Sequence, residues 1–176
     1  MRKNQRPEPA GGDESPLLQS FKPISDGNSR ILILGTMPSP ASIRAGMYYS
    51  HPQNAFWRLL SELTGDESGA GREERCAFLL RNRIAVWDTL RCCVREGAAD
   101  SRIRKPVYND ISGLLDGCPE IRAVFLNGGA AFRYYRKCGA AERFPGILLP
   151  STSPANARGG YLGKLERWRV ILPFLK

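Results

Sequence analysis

The sequence predicts an α/β layered domain with a mostly parallel sheet of about four strands. Short apolar runs recur along the chain, stretches of helical spacing separate them, and each run ends in a small, polar or Gly/Pro-rich loop. The first run, Ile31-Leu32-Ile33-Leu34 ending at Gly35, has the pattern of a strand buried on both faces. Ile84-Ala85-Val86-Trp87 and Ala123-Val124-Phe125-Leu126 repeat that pattern, and Ile147-Leu148-Leu149 repeats it more weakly. Between them, Phe56, Leu59, Leu60 and Leu63 fall at i, i+3, i+4 and i+7, and Cys76, Leu79 and Leu80 form a second helical stripe. Further helices are expected near 110–115, near 130–137 and over about 160–172, where Leu162, Leu165, Trp168 and Ile171 would share one face.

The 176 residues suit one domain with a sizeable core. A composition of 42% hydrophobic and 24% charged residues excludes a collagen, a coiled coil or a wholly disordered chain. Residues 1–22 are rich in Pro, Gly, Ser and charge and show no apolar period, so they are expected to be a mobile tail before a single domain at 23–176. Arg2, Lys3 and Arg6 in that tail could touch DNA, although a solvated leader without a role is the preferred reading of them. With no apolar run near the ~20 residues of a membrane span and no signal-peptide core, the chain is expected to be cytoplasmic, free of membrane and monomeric.

Five cysteines, an odd number whose only close pair is the adjacent Cys92-Cys93, read as free thiols. With His51 as the single histidine, neither a metal nor any other cofactor is expected. The net charge of +9 is uneven: residues 101–176 carry 13 basic and 5 acidic side chains, whereas 31–100 carry 8 of each. A surface of this kind attracts polyphosphate, by direct attraction and by counterion release.

In open parallel sheets the ligand crevice lies beyond the carboxyl ends of the strands. Here those ends are Gly35-Thr36-Met37-Pro38, Asp88-Thr89, Asn127-Gly128-Gly129 and Pro150 through Asn156, which together make a polar rim. The loop Met47-Tyr48-Tyr49-Ser50-His51-Pro52-Gln53-Asn54 leads into the first long helix and brings Asn54 to its N-terminus. Pro52 suits a helix's first turn, and Asn54 is also a good cap. The loop Ser151-Thr152-Ser153-Pro154-Ala155-Asn156 offers hydroxyls and backbone N–H groups to a phosphate, or merely stabilises its own turn.

Taken together, Gly35-Thr36-Met37-Pro38 and Ser153-Pro154-Ala155-Asn156 resemble the two signature motifs of the uracil-DNA glycosylase superfamily, over roughly residues 30–172. Tyr48-Tyr49-x-His51-Pro52-x-Asn54-x-Phe56-Trp57, Trp87-Asp88, Asn109-Asp110 and Ser151 to Asn156 are similar to the hypoxanthine-DNA glycosylases, its sixth family. The resemblance implies a three-layer α/β/α sandwich around a parallel four-stranded sheet. It also implies a monofunctional enzyme that hydrolyses the N-glycosidic bond of deaminated bases in DNA, and that initiates base-excision repair. Hypoxanthine from deoxyinosine comes first among those bases, then uracil or xanthine. Departures are as informative: Met37 stands where many relatives carry Asp or Asn, and Ser151 where many carry His.

On that resemblance Asn54 is the catalytic residue. Gly35, Thr36, Met37, Pro38, Tyr48, Tyr49, His51, Asp88, Asn109 and Asn127 form the base pocket, and Ser151, Thr152, Ser153, Pro154, Ala155, Asn156, Arg158 and Lys164 meet DNA. Cleavage builds positive charge on the sugar and negative charge on the departing base, so an amide would act by orienting water and donating to the base rather than as a general base. The nucleotide must first be flipped out of the duplex, and Tyr48 or Tyr49 could stack on it. A uracil-preferring mismatch glycosylase, a non-catalytic nucleic-acid-binding protein of the same fold and a small-molecule nucleotide hydrolase are the alternatives.

Overall fold

The computed structural model describes residues 17–176. Four strands, β2 (Ile31–Gly35), β3 (Ile84–Asp88), β6 (Ala123–Asn127) and β7 (Gly146–Leu149), pair in parallel in the order β3-β2-β6-β7. Each covers the apolar run that the sequence marks. The two central strands, β2 and β6, are buried at every residue, which is why they read as unbroken apolar text rather than as an alternation.

Alternate side chains serve opposite layers. Ile31, Ile33, Ile84, Val86 and Phe125 meet helices α2 (Phe56–Thr64), α3 (Arg72–Arg81) and α7 (Gly160–Trp168). Leu32, Leu34, Ala85, Val124 and Leu126 meet α4 (Ile111–Gly117), α5 (Gly129–Tyr135) and α6 (Ala140–Arg143). This is the α/β/α sandwich expected. One short helix, α1 (Pro40–Ala45), follows the first rim loop, with Ser39 capping it by accepting from the Ser42 N–H at 3.2 Å.

Three differences from expectation matter. A second, antiparallel sheet, β1-β4-β5, is built from Leu17–Gln19, Leu90–Val94 and Arg104–Tyr108. Strand β1 lies inside the expected mobile tail, so the boundary at residue 22 is corrected: residues 17–22 are part of the fold, while 1–16 lie outside the described residues. Backbone pairing to β4, together with the Phe21 carbonyl accepting from Trp87 Nε1 at 2.9 Å, holds this segment, and neither leaves an apolar period in the sequence. Ile24 then exchanges two backbone hydrogen bonds with Val86 and covers the outer edge of β3. In α7, Leu165 and Trp168 are buried as expected, with Ile171 in the following 3-10 turn, but Leu162 is 75% exposed because its position belongs to the first, outward-facing turn.

Candidate active site

The carboxyl ends of β2 and β6, the loop before α2 and the loop after β7 converge on one cavity of about 110 Å³. It is lined by Gly35 to Ser39, Ser42, Tyr48, Tyr49, Asn54, Asn127 and Ser151 to Ser153, together with Arg95, Ala98 and Asp100 from beyond β4. Gly35 forms the floor. A Cβ there would come within 2.5 Å of Asp88 Oδ1 and 2.9 Å of the Tyr49 hydroxyl, so only glycine lets these two polar groups approach the strand end.

Asn54 sits where the sequence places it. Its own N–H donates to the His51 carbonyl at 2.8 Å, and its Oδ1 accepts from the Phe56 N–H at 3.0 Å, which fixes the amide at the first turn of α2. Helix α2 opens at Phe56, so Pro52 lies in the preceding turn rather than in the helix. The Ala55 N–H donates to Thr152 O at 3.0 Å and ties this helix end to the loop after β7. Asn127 is tied to the same residue: its Nδ2 donates to Thr152 Oγ1 and its Oδ1 accepts from the Thr152 N–H, both at 2.9 Å. Thr152 thus ties the Asn127 amide to the backbone at the start of α2, one residue after Asn54. Gly128, at φ 103°, lets the Ser151 loop close on β6, since a Cβ would stand 2.8 Å from that of Ser151.

The two tyrosines separate cleanly. Tyr48 is buried, donates to the Lys22 carbonyl at 3.0 Å, and accepts from Trp57 Nε1 on its own carbonyl at 3.1 Å, so it holds the loop to the core. Tyr49, at a left-handed φ of 53°, stacks on Phe56 with centroids 3.8 Å apart, and its buried hydroxyl has no hydrogen-bond partner among the described residues. Burial raises the phenol pKa of both, with Asp88 adding to the effect.

Three of the expected pocket residues are not in the lining. His51 lies in the turn before α2, with its Nδ1 accepting from the Gln53 N–H at 3.2 Å. Asn109 is consumed in structure: its Nδ2 donates to the carbonyls of Asp88 and Leu90, bracing the break between β3 and β4. Asp88 lies behind Gly35, accepts from Ser20 Oγ at 2.7 Å, and is pushed up to about 7 chiefly by burial.

The sequence reading did not mark Arg95 and Asp100. Arg95 is 3% exposed; its guanidinium donates to Pro38 O, to Gly97 O and, at 3.4 Å, to Asp100 Oδ1. Burial holds the Asp100 carboxyl above the ordinary carboxylate range, against the opposing influence of Thr36 and Arg95.

Two grooves flank the cavity. One, of about 510 Å³, runs from Pro52 to Ala55 past Arg58, Pro154, Asn156 and Tyr161; the other, of about 640 Å³, is lined by Gly128 to Ala130, Arg133, Ser151, Arg158 and Arg167. Lys164 borders both, and Asn156, whose Nδ2 donates to Ser151 O at 3.0 Å, stands between them. Ala155 is exposed at the tip of the loop. Among the described residues no group of three or more His, Cys, Asp or Glu side chains could hold a metal ion.

The family model of the uracil DNA glycosylase superfamily matches residues 21–172. A hypoxanthine DNA glycosylase of Methanosarcina barkeri is 39% identical over 141 residues, covering 80% of this chain and 89% of the relative. Its counterpart in Methanosarcina acetivorans is 38% identical over 144 residues with the same coverage. A solution NMR structure from Methanosarcina acetivorans, described as a candidate uracil DNA glycosylase, superposes with a TM-score of 0.79 at 34% identity, covering 91% of this chain and 99% of that one.

Proposed function

Because the chain belongs to the uracil DNA glycosylase superfamily, we propose that it hydrolyses the N-glycosidic bond of deaminated bases in DNA, with hypoxanthine from deoxyinosine as its first substrate. The observation that carries this reading is the cavity where Asn54 and the Asn127 amide, the latter bonded to Thr152 and the former next to Ala55, whose N–H bonds Thr152 O, meet the Tyr49 ring and the Gly35–Ser39 loop. A base can enter such a site only after leaving the stack, and the basic grooves on either side suit the phosphates of the strand that presents it. The name borne by both Methanosarcina relatives supports hypoxanthine as the base.

Each group then has a task. The capping bond from the Phe56 N–H engages Asn54 Oδ1 and so orients the amide, leaving Nδ2 to donate to the departing base and the second Oδ1 lone pair to position water. Tyr49, backed by Phe56, offers its remaining face for stacking and its unpartnered hydroxyl to a base edge; Tyr48 is core. Positioning and electrostatic preorganisation supply the rate enhancement. The test is single-turnover base release from duplexes carrying deoxyinosine, deoxyuridine or deoxyxanthosine at one position, with free inosine as the competing small molecule. Fastest release from deoxyinosine duplex is expected. A faster reaction with uracil reassigns the base, and no release from any duplex, with binding retained, reassigns the protein to the non-catalytic class.

A further inference from the structure

The chemistry just described lacks one element. An amide cannot accept a proton from water near neutral pH, and Met37 offers no oxygen where the first motif of many relatives does. The cavity nevertheless contains a carboxylate. Of the residues that line it, Asp100 is the acidic one, delivered by the single 3-10 turn Asp100–Arg102 that connects β4 to β5.

This side chain is held in place. Arg95 Nη1 lies 3.4 Å from Oδ1, and Thr36, in the first motif, lines the same cavity. Arg95 is itself held by two further bonds, to Pro38 O and Gly97 O, so the guanidinium joins the carboxylate and the first motif into one unit. An ionised carboxylate has about four acceptor positions. Arg95 takes one of them, on Oδ1, and the carboxylate lines the cavity.

Resting on the glycosylase reading above, we propose that Asp100 is a catalytic residue of this site: its carboxylate stabilises the sugar cation and accepts the proton of the attacking water. The water oxygen bonds to the anomeric carbon as the bond to the base nitrogen breaks, and the bonding pair leaves with the base. The water proton passes to Asp100, which returns it to solvent, while the base anion gains a proton from solvent. Base, abasic DNA and free carboxylate are restored without a co-reactant. The charged and titratable groups facing Asp100 are Arg95 and Arg133, which favour its ionised form, with Asp88, Tyr49, Tyr134 and Cys93 around it.

The alternative is that Asp100 only neutralises buried Arg95. Asp100→Asn keeps the shape and an acceptor for Arg95, whereas Asp100→Glu keeps the charge. Single-turnover release from deoxyinosine duplex is measured for wild type and both variants across pH, alongside melting temperature and affinity for duplex with an abasic-site analogue. The expected result is a loss of about 100-fold or more for Asp100→Asn, the scale of a positioned general base, with analogue binding retained. Partial recovery is expected in Asp100→Glu, and the rise of the wild-type rate with pH should vanish in Asp100→Asn. A wild-type rate in folded Asp100→Asn overturns the assignment. So does an Asp100→Asn that melts early while an equally destabilised Asp100→Glu is just as slow. Wild type inactive on every duplex overturns the glycosylase reading and this assignment together.

Discussion

Asn54 has two duties in this structure, and a pair of substitutions separates them. Asn54→Ala removes the Oδ1 acceptor of the Phe56 N–H and, with it, the amide of a residue that lines the cavity. The first loss is a helix cap, worth about 1 kcal/mol. It stays local, because the backbone bond from the Ala55 N–H to Thr152 O, at 3.0 Å, still anchors the start of α2. The second loss is a transition-state hydrogen bond. Removing such a donor slows chemistry by about 100- to 1,000-fold. Asn54→Ser keeps an oxygen able to cap but no amide, so it should melt within a few tenths of a kcal/mol of wild type and be as slow as Asn54→Ala. Rates come from single-turnover base release at saturating enzyme, and stabilities from urea melts of the same preparations. Asn54→Ala with the wild-type single-turnover rate would falsify the catalytic assignment and leave Asn54 as a cap.

Asp88 predicts a pH dependence of stability with a definite sign. Burial raises its folded-state pKa to about 7, so between about pH 4 and 7 the native state holds a proton that the unfolded chain has released, and stability falls as pH rises through that window. Asp88→Asn should therefore gain on wild type from pH 4 to pH 8 in paired thermal melts; a constant difference would contradict this. Deleting residues 1–20 should lower Tm, since it removes β1 and the Ser20 hydroxyl that bonds Asp88, and Ser20→Ala alone should cost roughly 1–3 kcal/mol. A truncated protein that melts like the full chain would show that β1 is dispensable. Lys164 is 6% exposed and, among the described residues, has no hydrogen bond or ion pair; burial lowers its pKa. Lys164→Met should weaken duplex binding and reduce the salt slope of log K by about 1 in titrations from low to moderate salt. An unchanged slope would remove Lys164 from the phosphate contacts.

What could be read from the text follows from how each element is buried. Strands β2 and β6 are enclosed on both faces and therefore stand out as continuous apolar runs, and their last residues Gly35 and Asn127, with Thr152 from the loop after β7, line the cavity as the rim reading expects. The second sheet was invisible for the opposite reason. Its strands carry Leu17-Leu18-Gln19, Leu90-Arg91-Cys92-Cys93-Val94 and Arg104-Lys105-Pro106-Val107-Tyr108, short mixed segments with register shifts between β4 and β5 that break any period. Asp100 was lost with that sheet, because in sequence it stands among Arg95, Glu96, Arg102, Arg104 and Lys105, a charge-dense stretch that reads as solvated surface. His51 and Asn109 stand close to motif residues in the sequence, and in the structure the Gln53 N–H bonds the first while the Asp88 and Leu90 carbonyls accept from the second.

Met37 links these two outcomes. Its side chain is 7% exposed and packs with Leu90 and Cys93, with Leu18, Ile103, Tyr108 and Tyr134 against them, so it forms the seam between the first motif and the antiparallel sheet. A carboxylate at position 37 would be buried in that apolar seam at a cost of several kcal/mol unless it were paired. The thioether instead glues the sheet to the rim, and the connection from β4 to β5 then carries Arg95, Ala98 and Asp100 onto the cavity. The polar group absent from the motif is compatible with a charged site because the same packing that excludes it there brings another from 63 residues further along the chain. The second sheet is thus the element that completes the cavity wall, and its anchoring by β1 explains why the segment before the first parallel strand belongs to the domain.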